Sequence, residues 1–260
     1  MRAIKQAYWI LVNQVGIDPI KLFNFFNRSF LYLKDLYCFR KSYKGKLSLL
    51  PCLHDRYVEG GDTKSEYFWQ DLIVARHVYE ANPIKHVDVG SRIDGFVSHV
   101  ASFRDIEVFD IRPITSKIPG VLFKTADFMD CKSLPNFEGD GYCDSLSCLH
   151  AIEHFGLGRY GDEINSNGFK IGLTNMLKLL KPGGVFYLST PIGLSRVEFN
   201  ANWIFNPVNL VNTVRDNGLS LEKLMLFNHR SGLTEKDTSF STLKHLSDET
   251  YNLGIFTFKK

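Results

Sequence analysis

From about residue 64 onward, apolar positions alternate between two periods. Short runs rich in β-branched and aromatic residues mark strands, and stretches with apolar residues every three or four positions mark helices. From about Lys64 to Ala81, the residues Phe68, Leu72, Ile73, Ala75, Val78 and Tyr79 suit a helix that Asn82-Pro83 ends. His86 to Val89 reads as the first strand. It is followed by Gly-Ser-Arg-Ile-Asp-Gly and a helical stretch from Phe96 to Phe103. Glu107 to Phe109, ending at Asp110, is the second strand, Val121 to Lys124 the third and Tyr142 to Cys148 the fourth. A helix from about Phe169 to Leu180 stops at Lys-Pro-Gly-Gly, and Val185 to Ser189 is the fifth strand. Asn206 to Asp216 is helical, and Ser220 to Phe227 and Tyr251 to Phe258 close the chain as strands. This alternation predicts an α/β fold with a mostly parallel sheet covered by helices on both faces. The two closing strands, joined without a long helix, predict an antiparallel hairpin at the sheet's edge.

Residues 1–58 follow another pattern and predict a helical extension before a main domain over 59–260. They carry Trp9, Phe23, Phe25, Phe26, Phe30, Tyr32, Tyr37, Phe39 and Tyr43 in short helices expected to end near Pro51. The chain's formal charge is only +3, but residues 1–50 hold nine Lys or Arg against Asp18 and Asp35, leaving the remaining 210 residues at −4. Three readings stay open for this basic arm: a layer packed on the main domain, a lid over a substrate site, or a helix lying on a membrane surface through residues 1–50. The longest early apolar run, Ala7 to Val12, is far shorter than the ~20 residues a membrane span needs. Five cysteines, an odd number with no CxxC, fit a reducing cytoplasm. The composition, 44% hydrophobic and 23% charged, is ordinary for a globular protein.

In such a sheet, ligands bind beyond the carboxyl ends of the strands. After the first strand, Gly90 permits a tight turn, Ser91 and Arg92 follow, and Gly95 allows a helix to lie close; its free N–H groups favour an anionic group. Asp110, with Ile111 beside it, stands 22 residues beyond Asp88, where a carboxylate can accept from two ribose hydroxyls. After the third strand, Asp127 can receive an adenine amino group and Phe128 can stack on the ring. Asp88 is expected to orient the loop or meet a ligand amine. A phosphate-binding P-loop is excluded because Phe96-Val97 follow Gly95, and a dinucleotide fingerprint is excluded because Arg92 takes the second glycine's place.

The strings HVDVGSRIDG, FDIRP, CLHAIEHFGLGRYGDEI and LLKPGGVFYLSTPIG resemble class I S-adenosylmethionine (SAM)-dependent methyltransferases, from about Tyr67 to Phe227. More narrowly, HVDVGSRIDGF, GLGRYGD and VEFNAN resemble a bacterial methyltransferase-like family often encoded with surface-polysaccharide genes. The resemblance implies a Rossmann-like seven-stranded sheet with an antiparallel last strand. It also implies SAM held by Asp88, Gly90, Ser91, Arg92, Gly95, Asp110, Ile111, Asp127, Phe128 and the His150 backbone. Arg92 departs from the class's more glycine-rich loop. Residues 1–58 lie outside the likeness.

Methyl transfer to an alcohol needs alignment and a base. The loop after the fourth strand reads His150-Ala-Ile-Glu153-His154, with His154 the first candidate base, Glu153 its orienter and His150 lining the donor site. HxxEH also spells an inverted zinc-protease string, but that string belongs inside a helix, and here it follows a strand and meets Gly156 and Gly158. His150, Glu153, His154 and Asp162 together could ligate a divalent metal, although none is expected. Arg159 and Tyr160 suit a polar acceptor with a phosphate or carboxylate, and Asn200, Asn202 and Trp203 an acceptor wall. The expected activity is SAM-dependent O-methylation of a small molecule, a sugar or phosphate-bearing glycan precursor. The alternatives are a SAM-binding scaffold without turnover and a nucleic-acid methyltransferase. The last is not expected: the main body is acidic, and the Asn/Asp-Pro-Pro-aromatic string is missing after the fourth strand.

Overall fold

The computed structural model describes residues 2–54, 56, 58–136 and 140–260. Of the expected extension, Met1, Asp55 and Tyr57, and the side chains of Arg2, Ala3 and Lys5, lie outside the described residues. The chain forms two compact units, Met1–Asp62 and Thr63–Lys260.

The first unit holds α1 (Arg2–Asn13) and α2 (Pro19–Ser42). Asp18 caps α2, accepting from the N–H groups of Ile20 and Lys21 at 2.9 and 3.2 Å, and Pro19 supplies the preset first turn. At 24 residues α2 is longer than the short helices expected, because no glycine or proline interrupts it after Pro19. The chain beyond α2 is tied back to it by Arg28 Nη1 on the Leu53 and His54 carbonyls and by an Arg56–Asp35 ion pair at 2.7 Å.

The second unit is built on an eight-stranded sheet of order β3-β2-β1-β4-β5-β10-β8-β9. Its strands are β1 (His86–Val89), β2 (Ile106–Asp110), β3 (Val121–Thr125), β4 (Cys143–Leu149), β5 (Leu180–Ile192), β8 (Ser220–Asn228), β9 (Gly232–Lys236) and β10 (Asn252–Lys259). The first five run parallel; β10 is antiparallel to both β5 and β8. A small hairpin, β6 (Arg196–Glu198) and β7 (Asn202–Ile204), stands apart from the sheet. Alternate strand residues point to opposite faces. Val87, Leu146 and Cys148 pack with α5 (Gly168–Leu179), α6 (Pro207–Arg215) and α7 (Phe240–Asp248); Ile106, Val108 and Leu149 pack with α3 (Glu66–Ala81) and α4 (Ser98–Ala101). Both faces are therefore covered, as a central parallel sheet requires. Among the described residues, no helix is long and apolar enough to cross a membrane.

Three details differ from the sequence expectation. The closing strands do not form an edge hairpin: β10 inserts between β5 and β8, and the edge belongs to β9, an eighth strand. The Lys181-Pro182-Gly183-Gly184 string is a bulge within β5, since Leu180 pairs with Cys143 and Val185 with Ser145. The helix after β1 begins with a wide, π-type turn over Ile93–Val97, kinked at Gly95.

Candidate active site

The carboxyl ends of β1, β2 and β3 and the loop after β4 surround a cavity of about 500 Å³. The β1 loop is set by Gly90, whose φ of +75° turns the chain and whose N–H donates to the Phe109 carbonyl at 2.8 Å. A Cβ at Gly90 would stand 2.8 Å from that of Ala151, so β1 and the β4 loop meet closely here.

Asp88 lies beneath this turn, fully buried. Its carboxylate accepts from the Ser91 N–H (3.0 Å), the Ser91 hydroxyl (2.6 Å) and the Ser147 hydroxyl (2.5 Å). Ser91 Oγ in turn accepts from the Leu149 N–H at 3.1 Å. Burial pushes the Asp88 pKa up to about 7 against the pull of these donors. Asp88 thus orients the loop and does not line the cavity, which corrects its placement among direct ligand contacts. Gly95 does not line it either. A Cβ there would collide with the Asp71 carboxylate of α3, so its smallness admits a neighbouring side chain and not a ligand. Arg92 does line the cavity, gripping Asp94 through Nε and Nη2 at 3.0 and 2.6 Å with its guanidinium over the Tyr67 ring.

Asp110 stands at the end of β2 and lines the cavity with Ile111. Its carboxylate is held bidentately by Arg112, at 3.0 Å from Nε and 2.6 Å from Nη2. After β3, Asp127 accepts from the Met129 N–H at 2.8 Å, and the buried Phe128 meets Phe109 edge to face at 5.7 Å. Both line the cavity.

The β4 loop carries the reactive groups. His150 has a φ of +51°, a rare conformation for a non-glycine residue. Its Nδ1 donates to Glu153 Oε1 at 2.6 Å, its ring stacks on Tyr67, and its Nε2 lies 3.4 Å from Glu66 without a hydrogen bond. Burial disfavours the imidazolium, but Glu153, aided by Glu66, lifts the His150 pKa above its ordinary value. Burial likewise opposes the Glu153 charge, and His150 overcomes it, holding that carboxyl below its usual range. Glu153 is buried behind His150 and does not line the cavity. His154 does line it. Its Nδ1 is 2.7 Å from the Ala201 carbonyl, and burial, with Arg159 nearby, lowers its pKa.

Tyr160 stands between two guanidinium groups, Arg112 at 4.3 Å and Arg159 at 5.2 Å from its ring centre, and meets the His154 ring edge-on. Arg159 donates to the Ala201 carbonyl at 2.9 Å and has no carboxylate partner among the described residues, unlike Arg92 and Arg112. Asn200 and Asn202 do not line the cavity: Asn202 turns to the Trp203 carbonyl, and the hairpin reaches the site only through the Ala201 carbonyl, which meets His154 and Arg159. Trp203 itself donates to the Phe155 carbonyl and packs on Phe169. The four candidate metal ligands do not converge. The Asp162 carboxylate accepts from the N–H groups of Gly156, Gly158 and Tyr160, and no group of three or more His, Cys, Asp or Glu among the described residues is arranged to hold a metal ion. Sequence reasoning missed Tyr67 and Glu66 of α3, the Arg112 clamp and Tyr251, whose hydroxyl donates to Glu66 at 2.8 Å. Only Arg112 had a signal, its place in FDIRP two residues after Asp110.

A family model described as "Caenorhabditis protein of unknown function, DUF268" matches residues 136–247. No curated protein matches the chain. Among solved structures, a Burkholderia thailandensis 1,6-didemethyltoxoflavin-N1-methyltransferase, with its substrate and S-adenosylhomocysteine bound, aligns over 76% of this chain and 79% of its own (TM-score 0.51, 12% identity). A putative sarcosine dimethylglycine methyltransferase from Galdieria sulphuraria aligns over 74% and 85% (TM-score 0.51, 12% identity). The fold is a Rossmann-like methyltransferase fold. At this identity the likeness speaks for the architecture alone.

Proposed function

We propose that this chain binds SAM in the cavity and transfers its methyl group to a hydroxyl of a small acceptor carrying a phosphate or carboxylate. The observation that carries this reading is the order of groups around one cavity: the Gly90 turn after β1, Asp110 after β2, and Asp127-Phe128 after β3. A space of about 500 Å³ suits a ligand of nucleoside size. Asp110 would accept from the ribose hydroxyls, Asp127 from the adenine amino group, and Phe128 and Ile111 would supply apolar contact. Bound there, SAM supplies a methyl group on a sulfonium sulfur, an electrophile that needs alignment more than activation.

The chain's own part is the acceptor's proton. A carbonyl oxygen only accepts, so the Ala201 contact at 2.7 Å, shorter than that of Arg159 Nη1 at 3.3 Å, favours the His154 proton on Nδ1 and a lone pair on Nε2. With its pKa lowered, the imidazole is neutral at physiological pH and ready to take a proton from a hydroxyl. Arg159 is placed beside it to hold the acceptor's anionic group. Sugar phosphates and nucleotide-linked glycan precursors are the first acceptors to screen.

Calorimetric titration with SAM and S-adenosylhomocysteine tests the donor half. Micromolar binding that disappears in Asp110→Ala is expected; no binding to folded wild-type protein overturns the proposal. A SAM-binding protein without turnover is the second reading, favoured by Arg92 standing in the loop after β1 where the class is richer in glycine. Formation of S-adenosylhomocysteine with an anionic alcohol separates the two.

A further inference from the structure

On α2, Leu22, Phe23, Phe26, Phe30, Leu33 and Tyr37 recur every three or four residues and fall on one face. Each is between 57% and 74% exposed, so six large apolar side chains form an open stripe, about 22 Å from first to last at helical rise. The opposite side is the one that packs: Leu31 and Tyr32 are half-buried there. Asp35, the helix's single acid, also lies on that side, ion-paired to Arg56. Basic groups border the stripe. Lys34 stands one turn beyond Phe30, Lys41 one turn beyond Tyr37 with its Nζ 4.6 Å over that ring, and Arg40 flanks the other edge.

From this juxtaposition we infer that α2 lies flat on an anionic lipid surface, its rings and leucines in the headgroup boundary and its lysines and arginine on lipid phosphates. An apolar face rimmed by cations is the form of an interfacial helix. The helix does not span: Asn24, Asn27, Arg28, Lys34 and Asp35 interrupt it, and it is not apolar enough to cross a membrane. A second copy of the chain paired in parallel is the poorer occupant, because it sets Lys34, Arg40 and Lys41 of each copy against the same charges of the other. The inference is independent of the methyl-transfer reading.

Flotation of the full-length protein tests it, with vesicles of phosphatidylcholine alone or containing about one-quarter phosphatidylglycerol. We expect flotation with the anionic vesicles, reduced about tenfold or more on neutral vesicles or in high salt. Phe26→Ser/Phe30→Ser and, separately, Lys34→Glu/Lys41→Glu should abolish it. All four side chains are exposed, so unchanged circular dichroism and melting show that the variants fold. No flotation at low salt, or flotation indifferent to both variants, overturns the inference. So does a dimer seen by sedimentation that the phenylalanine substitutions dissociate in a protein that ignores vesicles, since the face then belongs to a second copy.

Discussion

His154 gathers its properties from groups far apart in the chain. The Ala201 carbonyl, 47 residues later, meets its Nδ1, and burial, with Arg159 nearby, lowers its pKa. Glu153 is engaged elsewhere: one oxygen pairs with His150, the other accepts from the Thr190 hydroxyl at 3.3 Å, and His154 Nε2 lies 4.0 Å off. The expected orienter therefore serves His150, while a backbone carbonyl orients His154. If His154 is the base, His154→Gln lowers the methyl-transfer rate by roughly 10²–10⁴ while leaving SAM affinity near wild type. The pH dependence follows from the sign of the shift. A base works unprotonated, and burial first, then Arg159, lower the His154 pKa from 6.5. Activity is thus retained through neutrality and lost as pH falls through a value below 6.5. Replacing Arg159 by Gln removes one lowering charge and moves that acidic limb to higher pH. A rate profile unmoved by either substitution would place the proton transfer elsewhere.

At the scale of elements, the β1 turn is the most constrained part of the site. Gly90→Ala combines a φ of +75° with a Cβ pressed against Ala151, so it should destabilise the domain by about 1–3 kcal/mol and weaken donor binding with it. Denaturant unfolding and SAM titration measure the two effects; wild-type values for both would mean the turn relaxes freely. Much of this architecture was readable. The β5 strand carries Val185-Phe186-Tyr187-Leu188, and strands covered on both faces read as unbroken apolar runs. The β9 strand left no such run: Gly-Leu-Thr-Glu-Lys has one large apolar residue and is half-exposed. Nor does periodicity carry pairing order, so the insertion of β10 between β5 and β8 was out of reach. The Lys-Pro-Gly-Gly string shows the same limit: composition marks a break, but only the partner strand decides between a turn and a bulge.

Across the whole molecule, residues that stand directly after strands could be read from sequence, and those that arrive from elsewhere could not. Gly90, Asp110, Asp127 and Phe128 follow strand ends, so parallel topology brings them together. Tyr67 arrives from α3 and Ala201 from the small hairpin, and Tyr160, already beside Arg159 in the chain, meets a second guanidinium only because Arg112 reaches it from the end of β2. The division of the chain has a physical consequence too. Each unit closes its own network: Arg28 and Asp35 tie the early segment to itself, and the Trp69 indole donates to the Thr63 carbonyl at the start of the second unit. At the end of the first unit stand the exposed glycines Gly60 and Gly61, which carry no side chain to hold the backbone. A broad-specificity protease should therefore cut near Gly60-Gly61 first and leave a resistant fragment beginning close to Thr63. That fragment should melt in one cooperative transition and, on the proposed function, still bind SAM. Its β10 strand joins β5 to β8 within the unit, and every strand of the sheet pairs inside it, so no strand depends on the segment removed. Digestion that destroys both units at one rate would mean that the second unit's stability depends on the first.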